Sequence, residues 1–154
     1  MAPSVLILRI LKGFVLSTLL YGAKAWTLTY ASCRRIDAFE MWCYRRILRI
    51  PWIHHVSNDT VLQRIGRQLE FLQNVKRRTF EYFGHVMRNE KYHLLQLILQ
   101  GKIEGQRSAG RRRISWLRNL RTWTGMTLTA LFRTAVNRVI WTNVIANIHR
   151  EINL

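Results

Sequence analysis

Hydrophobic side chains recur at intervals of three and four residues along most of the chain, which is the spacing of an amphipathic α-helix. No stretch alternates convincingly between apolar and polar residues, as a half-buried strand does. The pattern therefore predicts an all-α protein, a single domain of five or six helices. The longest predicted helices span residues 4–21, 32–50, 68–88 and 127–147, and the short apolar run 92–100 favours a further helix.

Polar caps and helix breakers bound these segments. Ser, Thr and Asn accept hydrogen bonds from the free N–H groups of a first helical turn, whereas Gly and Pro end helices. The predicted N-caps are Ser4, Ser57 or Asn58, and Thr127, and the predicted ends are Gly22, Pro51, Gly66 and Gly125.

The predicted helix 32–50 carries two neighbouring stripes. The apolar stripe, expected to face a core, consists of Ile36, Phe39, Cys43, Ile47 and Ile50. Beside it runs a column of Arg35, Trp42, Arg46 and Arg49. Arginines around a tryptophan suit phosphate contacts and base stacking. The same column suits an amphipathic border, where Arg stems and the indole cover the edge of a core. The pattern leaves both interpretations open.

A second basic region is the stretch 105–123, where Gly105 and Gly110 disfavour regular structure and a helix follows from Ile114. This predicts a mobile Arg/Gly loop that leads into an anchored helix. Trp116 suits either base stacking or the core, and its place on the apolar arc favours the core. The candidate phosphate contacts here are Arg107, Arg111, Arg112, Arg113 and Arg118. A further basic cluster, Lys76, Arg77 and Arg78, is expected to splay around its helix.

Composition strengthens the case for an anionic partner. The 154 residues include 25 Lys and Arg against 8 Asp and Glu, a formal net charge of +17, while 49% hydrophobic residues allow a sizeable core. Self-repulsion at this charge disfavours a compact state unless a partner offsets it. Nucleic acid is the leading partner, anionic membrane is second, and no small-molecule substrate is expected.

The amino-terminal region has features of a targeting signal. Basic residues precede an apolar run, and Ala23-Lys24-Ala25 resembles a cleavage site, so cleavage within residues 1–25 stays open. However, Val5–Leu8 is already apolar, which favours a buried helix over a signal. Two cysteines are too few for a disulfide framework. We therefore expect an intracellular protein, nuclear or cytoplasmic, that is not secreted.

Catalytic patterns are missing from the sequence. The eight carboxylates are scattered singly, without the Asp-Asp or Asp-x-Asp pairs that hold two metal ions. A metal could be gathered by Cys43, His54 and His55, although their spacing matches no common zinc site. We expect a protein that is not an enzyme and that needs no cofactor.

Several stretches together resemble the reverse transcriptases of LINE-type (non-LTR) retrotransposons, in the region carboxy-terminal to the polymerase palm. They occur in the family's order and cover about residues 19–123. The stretches are Leu19–Ala23 with Trp26–Thr29, Arg34–Cys43, Val61–Gly66, Tyr82–Val86, and Gly110–Arg113 followed by Trp116-Leu117. Lys24 stands where the family usually has an acidic residue, and Arg112 where it often has proline.

This resemblance implies a fragment of an endonuclease–reverse transcriptase, with residues 1–22 as the end of the thumb and 23–154 as a basic carboxy-terminal nucleic-acid-binding region. It implies RNA or DNA as partner, and the rest of a reverse transcriptase as a possible second one. Polymerase activity does not transfer, because the palm is not in this sequence. Two alternatives stay open: a basic membrane-surface or protein-interaction module anchored by the first helix, and a functionless remnant of a mobile element.

Overall fold

The chain folds into helices joined by short loops and 3-10 turns. The computed structural model describes residues 3–102 and 115–151, with side chains for 6–102 and 115–147. Within these ranges no residue belongs to a strand, which confirms the all-α prediction. There are more helices than the five or six predicted. They are α1 (Pro3–Ile10), α2 (Ser17–Leu20), α3 (Tyr30–Ile47), α4 (Asn58–Ile65), α5 (Phe71–Arg88), α6 (His93–Gln100), α7 (Trp116–Thr124), α8 (Leu128–Val136) and α9 (Arg138–Glu151).

The first predicted helix is continuous but irregular. Helix α1 runs through a π-helical stretch, Leu11–Leu16, into α2. Gly22, with φ of 72°, follows as the predicted terminator, a conformation that glycine adopts without steric cost. Ser4 is not the cap, because the helix already begins at Pro3, where a missing N–H costs no hydrogen bond.

Side-chain caps begin several of the other helices. Thr29, Ser57, Ser115 and Thr127 each accept a hydrogen bond from the backbone N–H three residues later, which confirms the caps predicted at Ser57 and Thr127. The last predicted helix is in fact two helices, because Asn137 is extended and its Oδ1 accepts from the N–H groups of Val139 and Ile140. Asn137 thus ends α8 and caps α9.

The chain divides into two compact units. Unit 1 comprises Met1–Ala23 and Thr29–Lys76, and unit 2 comprises Lys24–Leu28 and Arg77–Leu154. Helix α5 contributes its first residues to unit 1 and the remainder to unit 2.

Unit 1 is organised around a buried carboxylate. Glu40 of α3 is fully buried and accepts hydrogen bonds from the Tyr44 hydroxyl (2.5 Å) and from the backbone N–H groups of Glu70 and Phe71 (both 2.8 Å). It therefore satisfies N–H groups at the start of α5, where a negative charge is favoured. Burial raises the pKa of Glu40, although these three hydrogen bonds oppose the shift.

The apolar stripe of α3 is only partly a core stripe. Ile36 and Cys43 are buried as predicted, whereas Phe39 keeps 38% of its surface exposed. Phe39 is instead half-buried and contacts two aromatic rings, Trp42 and Phe71, whose centroids are 6.1 and 6.2 Å away.

Unit 2 has an aromatic core. Its buried residues are Phe80, Phe83, Val86, Met87, Leu120, Leu131, Ala135 and Trp141. The Trp141 indole donates a hydrogen bond to the Phe80 carbonyl (3.0 Å) and lies across Gly84 of α5. A Cβ at Gly84 would come within 2.5 Å of Trp141 Cδ1 and 2.7 Å of Arg88 Nη1, so glycine is required there by close packing.

Candidate nucleic-acid interface

The predicted Arg/Trp column lies on the surface of α3 in unit 1. Arg35, Trp42 and Arg46 are seven and four residues apart, which places them along one face of the helix, and all three are exposed. Arg49 is exposed beyond the end of α3, in the left-handed region with φ of 53°. The structure brings Trp42, Arg46 and Arg49 together, while Arg35 lies two turns away, roughly 10 Å at 1.5 Å per residue.

Trp42 is an exposed ring held from one side. Phe39 stacks against it with centroids 6.1 Å apart and planes at 15°, and Phe39 in turn contacts the buried ring of Phe71. Trp42 still exposes 53% of its surface. Its orientation is thus supported by the core of unit 1 while much of the ring stays accessible.

Arg46 places a positive charge next to this ring. Its guanidinium carbon lies 5.2 Å from the Trp42 centroid, within the range of a cation–π contact. Because Arg46 is exposed, this contact leaves part of the guanidinium available for other acceptors.

These residues line an open cleft of about 540 Å³ at the end of α3. The lining contains three arginines and two tryptophans, and none of the described residues that line it is a carboxylate. They are Trp42, Arg45, Arg46, Arg49, Ile50, Pro51 and Trp52. An anion that enters this cleft meets positive charge on several sides.

Sequence reasoning missed two members of the cleft. Trp52, 84% exposed, opens a 3-10 turn after Pro51, in a segment that follows the end predicted at Pro51. Arg45 braces this segment by donating to the Val56 carbonyl and to Asn58 Oδ1, both at 2.8 Å. No sequence signal marks the exposure of Trp52 or the bond between Arg45 and Val56.

Two of the acidic groups of unit 1, Glu40 and Glu70, are engaged by other residues. Besides the buried Glu40, Glu70 Oε2 is 2.6 Å from Lys12 Nζ and Glu70 Oε1 is 3.1 Å from Arg67 Nη1. Burial acts to raise the pKa of Glu70, but the hydrogen bonds and charges of Lys12 and Arg67 outweigh it and hold the pKa below its usual value. Neither carboxylate is among the residues that line the cleft.

The basic cluster in α5 splays as predicted. Arg77 and Arg78 are exposed, and Arg77 is 3.8 Å from Glu81 in a half-exposed ion pair of small energetic worth. Lys76 is partly buried, and burial lowers its pKa against the opposing charges of Cys33 and Asp37. Of the three, Lys76 is therefore the least available to an external phosphate.

In the carboxy-terminal region, Arg118 is exposed on α7 and lines a separate groove of about 560 Å³ with Arg121, Ser115 and Thr122. Four predicted contacts, Arg107, Arg111, Arg112 and Arg113, lie outside the described residues.

Trp116 belongs to the core of unit 2. Its ring lies 5.9 Å from Phe83 and 6.2 Å from Tyr82, and its indole donates to the Lys24 carbonyl at 3.0 Å. These contacts favour the core interpretation of Trp116 over a stacking role.

The possible metal site at Cys43, His54 and His55 does not form. Cys43 is buried and both histidines are exposed, and no group of three potential ligands comes together in residues 3–102 and 115–151. Over the same part of the chain, no helix is long and apolar enough to cross a membrane.

Comparisons of the chain with protein-family models, curated proteins and solved structures found no match.

Proposed function

We propose that this chain is a non-catalytic nucleic-acid-binding module, the carboxy-terminal piece of a LINE-type reverse transcriptase, which contacts template RNA or target DNA mainly through phosphates. One observation carries the binding proposal: the cleft at the end of α3 combines Arg46 and Arg49 with two exposed tryptophans and no carboxylate among its described lining. Such a module acts inside the cell, in the nucleus or the cytoplasm.

Arginine is the side chain best suited to this partner. Its planar guanidinium stays charged at any physiological pH and donates two parallel hydrogen bonds to phosphate oxygens. Each phosphate contact releases condensed counterions, so binding weakens with salt by roughly 0.7 to 0.9 per contact on a log-log plot. The proposal therefore predicts affinity that falls steeply with salt and depends little on sequence.

The assignment to a retrotransposon rests on the stretches that resemble the family. Two residues within these stretches have structural roles. Glu40, within Arg34–Cys43, caps α5, and Gly84, within Tyr82–Val86, admits the Trp141 ring. Both roles supply reasons for those residue types that are independent of catalysis. These residues stabilise the helical scaffold of this chain, while the surface arginines carry the proposed binding.

The test is a salt series on the purified chain with labelled single-stranded RNA and duplex DNA, read by fluorescence anisotropy. Replacing Arg46 and Arg49 by Gln should make the slope shallower by about 1.4 to 1.8, two contacts' worth. The matched control replaces Arg64 and Arg133, which are exposed on α4 and α8 outside the cleft lining, and should leave the slope unchanged.

The loop is tested in the same series. Replacing Arg111, Arg112 and Arg113 by Ala should make the slope shallower by about 2 to 3. An unchanged slope in this variant would remove the loop from the proposal, and an unchanged slope in the Arg46/Arg49 variant would remove the cleft.

A second candidate function rests on the first helix. Leu6, Ile10 and Phe14 share one side of it and expose 57%, 49% and 72% of their surface. An uncovered apolar face on a basic protein also suits an anionic membrane surface. This function predicts vesicle binding that survives salt and is lost when residues 1–21 are removed. A folded chain that binds neither nucleic acid nor vesicles would favour a functionless remnant.

A further inference from the structure

We propose that the cleft between Trp42 and Trp52 takes an unpaired base, so that the chain prefers single-stranded nucleic acid over duplex. This inference rests on the proposed function and adds what phosphate contacts alone do not supply, which is a choice of strand state. It is carried by the exposure and the surroundings of the two rings.

Stacking requires a base with a free face. Within a duplex each base is already covered above and below by its neighbours, whereas the bases of a single strand can turn onto an aromatic side chain. Every base has such a face, so the preference concerns pairing and not sequence. A protein surface that offers exposed indoles beside arginines therefore distinguishes strand state.

Trp42 is prepared for this contact in the free protein. Its ring is stacked on Phe39 at an interplanar angle of 15°, and Phe39 contacts the buried Phe71. Little conformational freedom of the ring remains to be lost when a base arrives, which favours binding. The 53% of Trp42 that remains exposed is the area available to the base.

Arg46 couples the base to its phosphate. The guanidinium lies over the Trp42 ring, 5.2 Å from the centroid. A base that stacks on this ring takes the place of the guanidinium, which then turns toward the phosphate of the same strand. Arg49, in the same cleft lining, supplies a second positive charge along the backbone.

Trp52 provides a second exposed ring in the lining. The fixed φ of Pro51 (−72°) and the two 2.8 Å hydrogen bonds from Arg45 hold the segment that carries it. The cleft of about 540 Å³ lies within the roughly 300–1,000 Å³ of sites that hold small ligands. A nucleotide is a ligand of this class.

The experiment compares four ligands of matched phosphate number with the full chain at fixed salt: oligo-dT, oligo-U, an abasic single strand and a blunt hairpin duplex. We expect oligo-dT and oligo-U to bind about 5- to 150-fold more tightly than the abasic strand, from the usual contribution of one stacked base. The hairpin should bind in the range of the abasic strand.

Trp42→Ala should remove most of the difference between oligo-dT and the abasic strand while leaving the affinity for the abasic strand unchanged. Trp42→Phe should retain part of the difference in affinity between oligo-dT and the abasic strand. The control is Tyr21→Ala, which removes an aromatic ring that is 88% exposed elsewhere in unit 1, and it should change neither affinity. Far-UV circular dichroism verifies that each variant is folded.

Salt-dependent binding that is equal for all four ligands and insensitive to Trp42→Ala would overturn the stacking inference and leave phosphate binding intact. Absence of binding to every ligand by the folded chain would overturn the proposed function and this inference together.

Discussion

Two tryptophans of unit 2, Trp116 and Trp141, and two of unit 1, Trp42 and Trp52, have opposite surroundings. In unit 2, Trp141 is 1% exposed and Trp116 packs against Phe83, and the indole of each donates to a backbone carbonyl. In unit 1, Trp42 and Trp52 are 53% and 84% exposed, and both line a cleft with arginines. The same type of side chain thus belongs to the core at two positions of unit 2 and to the surface at two positions of unit 1.

Net charge does not distinguish the two units. Of the 25 Lys and Arg and the 8 Asp and Glu, unit 1 has ten and four, and unit 2 has the remaining fifteen and four. Both units are strongly basic, so basicity alone does not indicate which unit binds an anionic partner. What singles out the cleft of unit 1 is the coincidence of arginines with exposed aromatic rings.

The largest difference is expected when one buried and one exposed tryptophan are each replaced by alanine. Trp141→Ala should lower the free energy of unfolding by about 3 to 5 kcal/mol, because it leaves a large cavity in the core of unit 2. Trp42→Ala should lower it by less, about 0.5 to 1.5 kcal/mol, since the half-exposed ring contributes mainly its stacking on Phe39. Urea unfolding followed by circular dichroism measures both, and equal losses would refute the distinction.

The close packing around Trp141 in unit 2 is tested by replacing the adjacent glycine, Gly84. Gly84→Ala should destabilise the protein by about 1 to 3 kcal/mol, because the added Cβ clashes with the indole. Gly13 offers the matched control: it is also helical, in unit 1, with nothing within 4 Å of an added Cβ. Gly13→Ala should be neutral or stabilising by up to about 1 kcal/mol. Thermal unfolding compares the two, and an equal loss from both would argue against close packing at Gly84.

The smallest expected effect concerns the carboxylates of unit 1. The pKa of Glu70 is below its ordinary 4.5, so its ion pairs contribute stability above pH 4.5 that is lost as the pH falls through the lowered pKa. Because Lys12 and Arg67 are partly exposed, we expect Glu70→Gln to cost no more than about 1 kcal/mol at pH 7.

The difference between wild type and Glu70→Gln should disappear at acidic pH. Urea titrations at pH 7 and at pH values below 4.5 measure it, with the exposed Glu90→Gln as control. A difference that persists unchanged in acid would mean that Glu70 acts by packing and not by its charge.

Local chemistry made much of this fold predictable. Ser57, Thr127 and Gly22 act on backbone groups within a few residues, so their roles are visible in the sequence itself. Asn137 was missed, because continuous helical periodicity on both sides conceals a break that a single side chain creates.

The remainder depends on contacts distant in sequence. Glu40 accepts hydrogen bonds from backbone N–H groups 30 and 31 residues later, and Phe39 contacts the ring of Phe71. Neither role follows from spacing within α3. The Arg/Trp column was predictable as a column because helical geometry alone aligns it. The sequence does not show which residues of the column share a cleft, because that depends on the hydrogen bonds by which Arg45 holds the segment after Pro51.

The most direct measurement is photo-crosslinking of the full chain to a single-stranded RNA that contains 4-thiouridine, with the attached peptides mapped by mass spectrometry. The proposed function predicts crosslinks concentrated within residues 42–52, and their loss in the Arg46/Arg49 variant. Crosslinks confined to other regions, or none from a folded chain, would contradict the claim that this cleft binds nucleic acid.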